Sequence, residues 1–372
     1  MDEPDPSKTH VTVGRSTDNF WLWSLESGWD LTHPASPAAK PFQSGLSLEC
    51  DISNITIDPA KTALLIIDMQ NFSLSTSLPN SLATPEIALA EDTIKAFAIP
   101  AARKAGIQII WLNWGLTEKE LQALPPSVLR VFEWSENSGS GHGDGTPLSS
   151  VSAAERDFSH AGESKRATGL GDDLGKVTLE DGRVVDAGKA AMRDTWNAAV
   201  HDKLLPAFLE GHKAPRPDVL VHKNRNSGLW NDDSDLNKYL RQEDIRTLLF
   251  TGMNTDQCVM GNLLDAQARG FDTIFLKDGC ATNSPEYAKE SAEYNCRRPL
   301  GFLSSCRALA RAVEGMQSMP GESQSKLADR WPYGLLPYDR STGVWPRERA
   351  IFSQRLHGLT LASCLPSLLD SP

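Results

Sequence analysis

Along the chain, continuous apolar runs that stop at polar groups stand out from a polar background. Ala63-Leu64-Leu65-Ile66-Ile67 shows no alternation, as expected of a parallel strand covered on both faces, and it ends at Asp68. Ile107 to Trp114 is a second such run, with Asn113 and Trp114 at its mouth. Asp218 to Lys223 is a third, and Leu248 to Phe250 a fourth that stops at Thr251-Gly252. Phe271 to Asp278 predicts a further strand and Leu300 to Leu303 a short one at an edge. Helical spacing lies between them: Glu86 to Ala105, interrupted by Pro100 and ended by Gly106; residues 193 to 209, carrying Trp196, Leu204, Leu205 and Phe208; and Leu236 to Glu243. Val259, Leu263, Leu264 and Ala266 continue it up to Gly270, a helix opens at Ser284-Pro285, and Cys306 to Met316 is the last. Strands alternating with helices predict an α/β fold around a mostly parallel, doubly wound sheet.

Three stretches break that rhythm. Residues 1–59 form an N-terminal arm whose segment from Asn19 to Pro34 carries Trp21, Trp23 and Trp29. Such an arm needs its own core or a neighbouring subunit to bury against, and it predicts a strand pair laid over the domain surface, with a substrate contact as the alternative. Residues 60–317 form the core domain, with an insertion at about 115–200. That insertion opens with a polar helix, Thr117 to Leu124. It then passes through the Gly/Ser/His stretch Ser138 to Gly145 and a charged, Gly-rich segment, a composition that predicts a flexible surface loop. Val177 to Val185 predicts a hairpin turning at Asp181-Gly182. The glycines at 139–145 lack a preceding strand and a Lys-Ser/Thr ending, so they do not make a phosphate loop, and His142 and His160 lack partners at metal-ligand spacing. Residues 318–372, rich in Pro, Gly, Ser and Arg, are expected to be an extension with only local order.

The stretch from Leu248 to Gly270 carries the strongest chemical signal. An apolar strand, a sharp turn, Cys258 and then a helix outline a nucleophile elbow. Thr255 is the expected N-cap, with Asp256 in the first turn and Cys258 near the third helical position. A thiol beside unpaired backbone N–H groups ionises more easily, and the same groups could hold an oxyanion. Taken alone, a free cysteine is more often an inert packing residue. Asp68 and Lys223 change that balance, because both close apolar strands, and such strand ends converge on one edge of a doubly wound sheet. There Asp68 can take a thiol proton, Lys223 can stabilise carboxylate and thiolate, and Cys258 can attack a carbonyl. Asn71, Asn113 and Trp114 are candidate substrate contacts at the same edge, and Trp230 another on the loop after Lys223.

Composition narrows the classes. The net charge of -11 disfavours nucleic acid and anionic membrane surfaces as partners. No apolar stretch is long enough to span a bilayer and no leader pattern is seen. The six cysteines show neither CxxC pairs nor metal-ligand spacing, which fits free thiols in the cytoplasm.

The run Leu64-Leu-Ile-Ile-Asp68-Met-Gln-Asn, then Val221-His-Lys223, then Thr251-Gly-Met-Asn-Thr-Asp-Gln-Cys258-Val resembles the isochorismatase-like cysteine hydrolases, the motifs falling in the family's order across residues 60–315. The resemblance implies a Rossmann-like three-layer α/β/α sandwich and an Asp-Lys-Cys triad of Asp68, Lys223 and Cys258. It also implies a cis peptide at Met253-Asn254 that aims the Asn254 N–H, with that of Cys258, at an oxyanion. It implies a homo-oligomer and no cofactor. The retained cysteine favours cleavage of an amide or ureide over a vinyl ether. The stretch Trp111 to Thr117 has no histidine, unlike the metal site of nicotinamidases, so no metal is expected. The implied activity is that of the ureidoacrylate amidohydrolase and biuret hydrolase branch, including its fungal-type members. It is hydrolysis of a ureido, N-carbamoyl or carboxamide small molecule through a covalent thioester or thiocarbamate, with release of ammonia. An isochorismate-type vinyl-ether hydrolase and a non-catalytic metabolite-binding member stay open as alternatives.

Overall fold

The computed structural model describes residues 10–37, 45–78, 81–133 and 169–316. The expectations for residues 138–145, for His142 and His160, and for residues 318–372 lie outside the described residues.

The chain opens with three antiparallel strands, β1 (Val11–Val13), β2 (Trp21–Ser24) and β3 (Gly28–Leu31). With β4 (Leu46–Leu48) and β5 (Ile55–Ile57) they form a five-stranded sheet in the order β1-β2-β3-β5-β4. Trp21 meets Trp29 edge to face, with ring centroids 5.8 Å apart, and both rings pack on Phe302 at 5.6 and 6.3 Å. The aromatic arm therefore lies as strands over the surface of its own domain.

A helical turn, Pro59–Lys61, capped by the Asp58 side chain, leads into β6 (Thr62–Ile67), every residue of which is buried. After α1 (Asn71–Leu74) come α2 (Pro85–Thr93), a π-helical turn at Ile94–Ala98, and α3 (Ile99–Ala105). Pro100 falls in the first turn of α3, where its missing N–H costs little, and the π turn absorbs the change of register. The fully buried β7 (Gln108–Trp114) follows, then α4 (Glu118–Gln122), closed by a Thr117–Glu120 capping box, and α5 (Pro126–Glu133). The hairpin β8 (Lys176–Thr178) and β9 (Val184–Asp186) turns at the expected place.

The chain from Gly169 to Leu204 corrects two expectations. It is neither the flexible surface loop that its composition suggests nor, from residue 193, a helix. Ala187, Ala190, Ala191, Asn197 and Val200 are buried, and the segment runs as a strap across the sheet's edge. Leu116 N–H donates to Ala191 O (2.8 Å), Asn71 N–H to Ala199 O (3.0 Å), and His201 N–H to Met69 O (3.0 Å). Asn197 knits the strap internally: its Oδ1 accepts from Ala191 N–H (2.8 Å), and its Nδ2 donates to Ala187 O (2.7 Å) and Lys189 O (2.8 Å). Such side-chain bonding competes with a helix. The helix α6 (Leu205–Gly211) starts only where Pro206 can sit in its first turn.

The rest alternates regularly through β10 (Val219–Lys223), α7 (Asp235–Gln242), β11 (Thr247–Met253) and a π-helical turn at Thr255–Val259 that runs into α8 (Met260–Ala268). Then come β12 (Asp272–Ala281), α9 (Glu286–Arg297), β13 (Phe302–Ser304) and α10 (Cys306–Met316). The six core strands are all parallel, in the order β10-β7-β6-β11-β12-β13. Leu64, Ile66, Ile109 and Trp111 face α2, α3, α6, α10 and the N-terminal sheet. Leu65, Ile67, Ile110, Leu112 and Phe250 face α7, α8 and α9. This is a three-layer α/β/α sandwich. Among the described residues no helix is long and apolar enough to cross a membrane.

Candidate functional site

In a doubly wound sheet the connections leave in opposite directions where the strand order reverses, and a crevice opens there beyond the carboxyl ends of the strands. Here the reversal falls between β6 and β11. Asp68, just past β6, has φ +56, a left-handed conformation that a short polar side chain tolerates, and its N–H donates to Leu112 O (2.9 Å). Gly252 in β11 has φ +114, and a Cβ there would lie 2.1 Å from Ile67 O, so only glycine lets the two strand ends approach this closely. The Met253–Asn254 peptide is cis. The turn's cap is Asn254, one residue earlier than the sequence suggested, with its carbonyl accepting from Gln257 and Val259 N–H, both at 3.1 Å. Cys258 thus sits in a π-helical turn ahead of α8.

Three side chains meet at the crevice. Lys223 Nζ, the end of a fully buried side chain, lies 3.0 Å from Asp68 Oδ2 and 3.3 Å from Cys258 Sγ. The same ammonium donates to Arg225 O (3.2 Å) and stands 4.0 Å from the centroid of the Trp114 ring. Burial raises the pKa of Asp68, against the nearby Lys223 charge and the Cys258 and Lys223 hydrogen bonds. Cys258 is partly exposed as a residue, yet desolvation of its sulfur and then the Asp68 charge push the thiol up to about 12, with Lys223 opposing. A resting neutral thiol, a carboxylate able to take its proton and a fixed cation make a group that can ionise as it attacks.

The other candidates divide. Trp114 belongs to the site as the face under Lys223, and its ring also packs edge to face on Phe132 at 4.9 Å. Asn71 is buried with both amide atoms engaged, Nδ2 to Trp196 O (3.0 Å) and Oδ1 to Asp202 N–H (3.1 Å), so it ties down the strap. Asn113 donates to Ala198 O (3.2 Å), while its Oδ1 is buried without a partner. Trp230 is 44% exposed and stacks under Arg225 at 4.8 Å, with no contact to Asp68, Lys223 or Cys258 among those described.

Several contributors escaped sequence reading. Gln70 pairs with both backbone atoms of Trp114, through Oε1 at 2.7 Å and Nε2 at 3.3 Å. Glu120 Oε1 accepts from Asn224 Nδ2 (2.7 Å) and Arg193 Nη2 (3.3 Å), joining α4, the loop after β10 and the strap. The Thr-x-x-Glu capping pattern was legible, but nothing local marked its glutamate as a bridge. Phe72, Leu116, Leu124, Phe132 and Met192 form an apolar cluster with Trp114, against which Cys258 packs. Among the described residues no group of three or more His, Cys, Asp or Glu side chains could hold a metal ion.

An Isochorismatase domain model matches residues 181–296, which take in Lys223 and Cys258. The ureidoacrylate amidohydrolase RutB of Rhizobium rhizogenes is 26% identical over 272 residues, covering 72% of this chain and 89% of that protein. RutB of Stutzerimonas stutzeri is 28% identical over 267 residues, covering 70% and 87%. The chain is thus similar to an Isochorismatase domain over residues 181–296 and to ureidoacrylate amidohydrolases over most of its length. A cysteine hydrolase structure from Pseudomonas syringae pv. phaseolicola is similar at a TM-score of 0.46 and 17% identity, covering 75% of this chain and 99% of that one. The domain match begins within β-hairpin β8–β9 and leaves out Asp68, whose place beside Lys223 is given by geometry.

Proposed function

We propose that this isochorismatase-like chain is a metal-independent cysteine amidohydrolase acting on a C–N bond of a ureido, N-carbamoyl or carboxamide small molecule. The observation that carries the reading is the meeting of Asp68, Lys223 and Cys258 within hydrogen-bond reach at the strand-order reversal. Its similarity to ureidoacrylate amidohydrolases supports the choice of bond.

Burial favours the neutral thiol at rest, so proton transfer accompanies attack. As Cys258 Sγ bonds to the carbonyl carbon, its proton passes to the Asp68 carboxylate, and the carbonyl π pair moves onto oxygen. The N–H groups of Asn254 and Cys258 are the donors assigned to that oxyanion. Asp68 then gives its proton to the nitrogen, the C–N bond breaks, and ammonia leaves a thioester or thiocarbamate on sulfur. Water adds to this acyl group as Asp68 takes one of its protons, and collapse returns that proton to the thiol. Lys223 keeps its charge throughout, held by the Arg225 carbonyl and the Trp114 ring, and lowers the cost of each anionic form of Asp68 and Cys258. The apolar cluster beside Cys258 keeps one side of the reaction dry.

The test is ammonia release from a panel of ureido acids, N-carbamoyl compounds and primary carboxamides, with and without a chelator. Cys258→Ser is expected to lose at least about 100-fold in kcat, and chelator to change nothing. Turnover that survives Cys258→Ser, or that the chelator stops, would overturn the reading.

A further inference from the structure

Asn262 lies in the first turn of α8, four residues past Cys258, and is completely buried. An amide inside a helix is costly unless its polar atoms are paired. Here they are paired in an unusual direction. Nδ2 donates to Cys258 O (2.7 Å) and to Asn226 O (3.1 Å), and Oδ1 accepts from Gly228 N–H (2.8 Å). One bond holds the turn that carries Cys258, and the other two leave the helix for the loop after β10. Lys223 is gripped by that same loop, because its Nζ donates to Arg225 O (3.2 Å). A closed circuit results: Cys258 backbone, Asn262 amide, loop 226–228, Arg225 carbonyl, Lys223 ammonium, and back to Cys258 sulfur at 3.3 Å.

We propose that Asn262 is a positioning residue that fixes the Lys223–Cys258 separation and so sets the reactivity of the thiol. The inference rests on the reading of Cys258 as nucleophile. Lys223 enters from the sheet and Cys258 from the helix layer, and a staple between them holds a distance that each element alone leaves adjustable. A shift of about 1 Å between reacting groups can cost about 100-fold in rate. Nothing in the pattern around Asn262 announces this, since the partners lie on a loop more than thirty residues earlier in the chain.

The experiment measures alkylation of Cys258 by iodoacetamide against pH, by peptide mass spectrometry, in the full-length protein. Asn262→Leu removes both ends of the staple. Asn262→Ser keeps a hydroxyl able to bond the carbonyl four residues back but too short to span the gap. Asn237→Leu is the control, because that buried amide bonds Asp232 O (3.2 Å) within the region around α7. Both Asn262 variants are expected to slow Cys258 alkylation about 10-fold at neutral pH, moving its profile to higher pH. Their kcat for ammonia release should fall about 10- to 100-fold with KM changed less than about twofold. The control should lower Tm and leave the profile in place. An unchanged profile in the Asn262 variants would overturn the proposal, as would an equal shift in Asn237→Leu. If Cys258→Ser retains turnover, the amidohydrolase reading fails, while the alkylation series still decides whether Asn262 governs the thiol.

Discussion

Replacing Lys223 by methionine removes one charge and little volume from the interior. The ammonium is fully buried, 3.0 Å from Asp68 Oδ2, so screening by solvent does not weaken the pair. Burial already raises the Asp68 pKa, and the Lys223 charge is the largest influence holding it down. Without Lys223 the folded-state value climbs further, while in the unfolded chain Asp68 titrates near the ordinary carboxylate value of about 3.9. A carboxyl whose folded pKa lies above its unfolded one binds its proton more tightly when folded. Its contribution to stability is complete below about pH 4 and is lost as pH rises through the folded value. The stability gap between wild type and Lys223→Met should therefore be smallest near pH 4 and widen towards neutrality. Each unit of added shift contributes about 1.4 kcal/mol. The gap should level off at about 3–5 kcal/mol, the usual cost of leaving one member of a buried ion pair charged and unpaired, once the pH has passed the variant's folded-state value and Asp68 is ionised there too. Urea unfolding followed by tryptophan fluorescence between pH 4 and pH 8 reads this directly. A gap that does not change with pH, or no gap at pH 7, would refute the electrostatic picture of the site.

Two further outcomes follow from the packing. In Gly252→Ala the new methyl would meet the Ile67 carbonyl at 2.1 Å on a backbone with φ +114. The variant should lose about 2–5 kcal/mol of stability, and it should turn over more slowly because Ile67 leads into Asp68. Wild-type Tm and kcat in this variant would show that the strand ends are not closely apposed. Asp272→Leu acts at the other end of the sheet. There the carboxylate accepts from Trp21 Nε1 (2.7 Å) and Thr247 Oγ1 (2.7 Å) and pairs with His33 Nε2 (2.8 Å). Leaving these groups unpaired should cost about 1–3 kcal/mol each and free the N-terminal sheet. Limited proteolysis should then cut between residues 10 and 60, with ammonia release from the remaining core little changed. An unaltered digestion pattern would place the sheet's anchorage elsewhere.

Local sequence carried the central sheet well, and for a physical reason. Strands buried on both faces must be apolar throughout, and each had to stop at a polar group where the crevice opens, so Asp68, Lys223 and the turn before Cys258 were visible as strand ends. The strap was not. Its glycines and charges read as loop, and Trp196, Leu204, Leu205 and Phe208 happen to fall at helical spacing. What fixes its extended course is the backbone of residues 69 to 72 and Leu116, together with the Asn197 amide, none of which a local window weighs. Asn71 failed to declare its role for the same reason, because a polar residue at a strand end can face a ligand or hold a neighbouring segment. The Asp272–His33–Trp21 tie joins residues far apart in the chain and left no trace in either neighbourhood.

The strand order has a consequence for the time at which the chemistry appears. Asp68 is made early, but β6 is flanked by β7 on one side and β11 on the other, and β11 is synthesised much later. Until it docks, Cys258 has no buried cation beside it and no carboxylate to receive its proton, and it is an ordinary thiol on an incomplete chain. Such non-local pairing comes late in folding. The grouping of Asp68, Lys223 and Cys258 is thus a property that the chain acquires late, and a half-made or misassembled molecule carries the three side chains without the site.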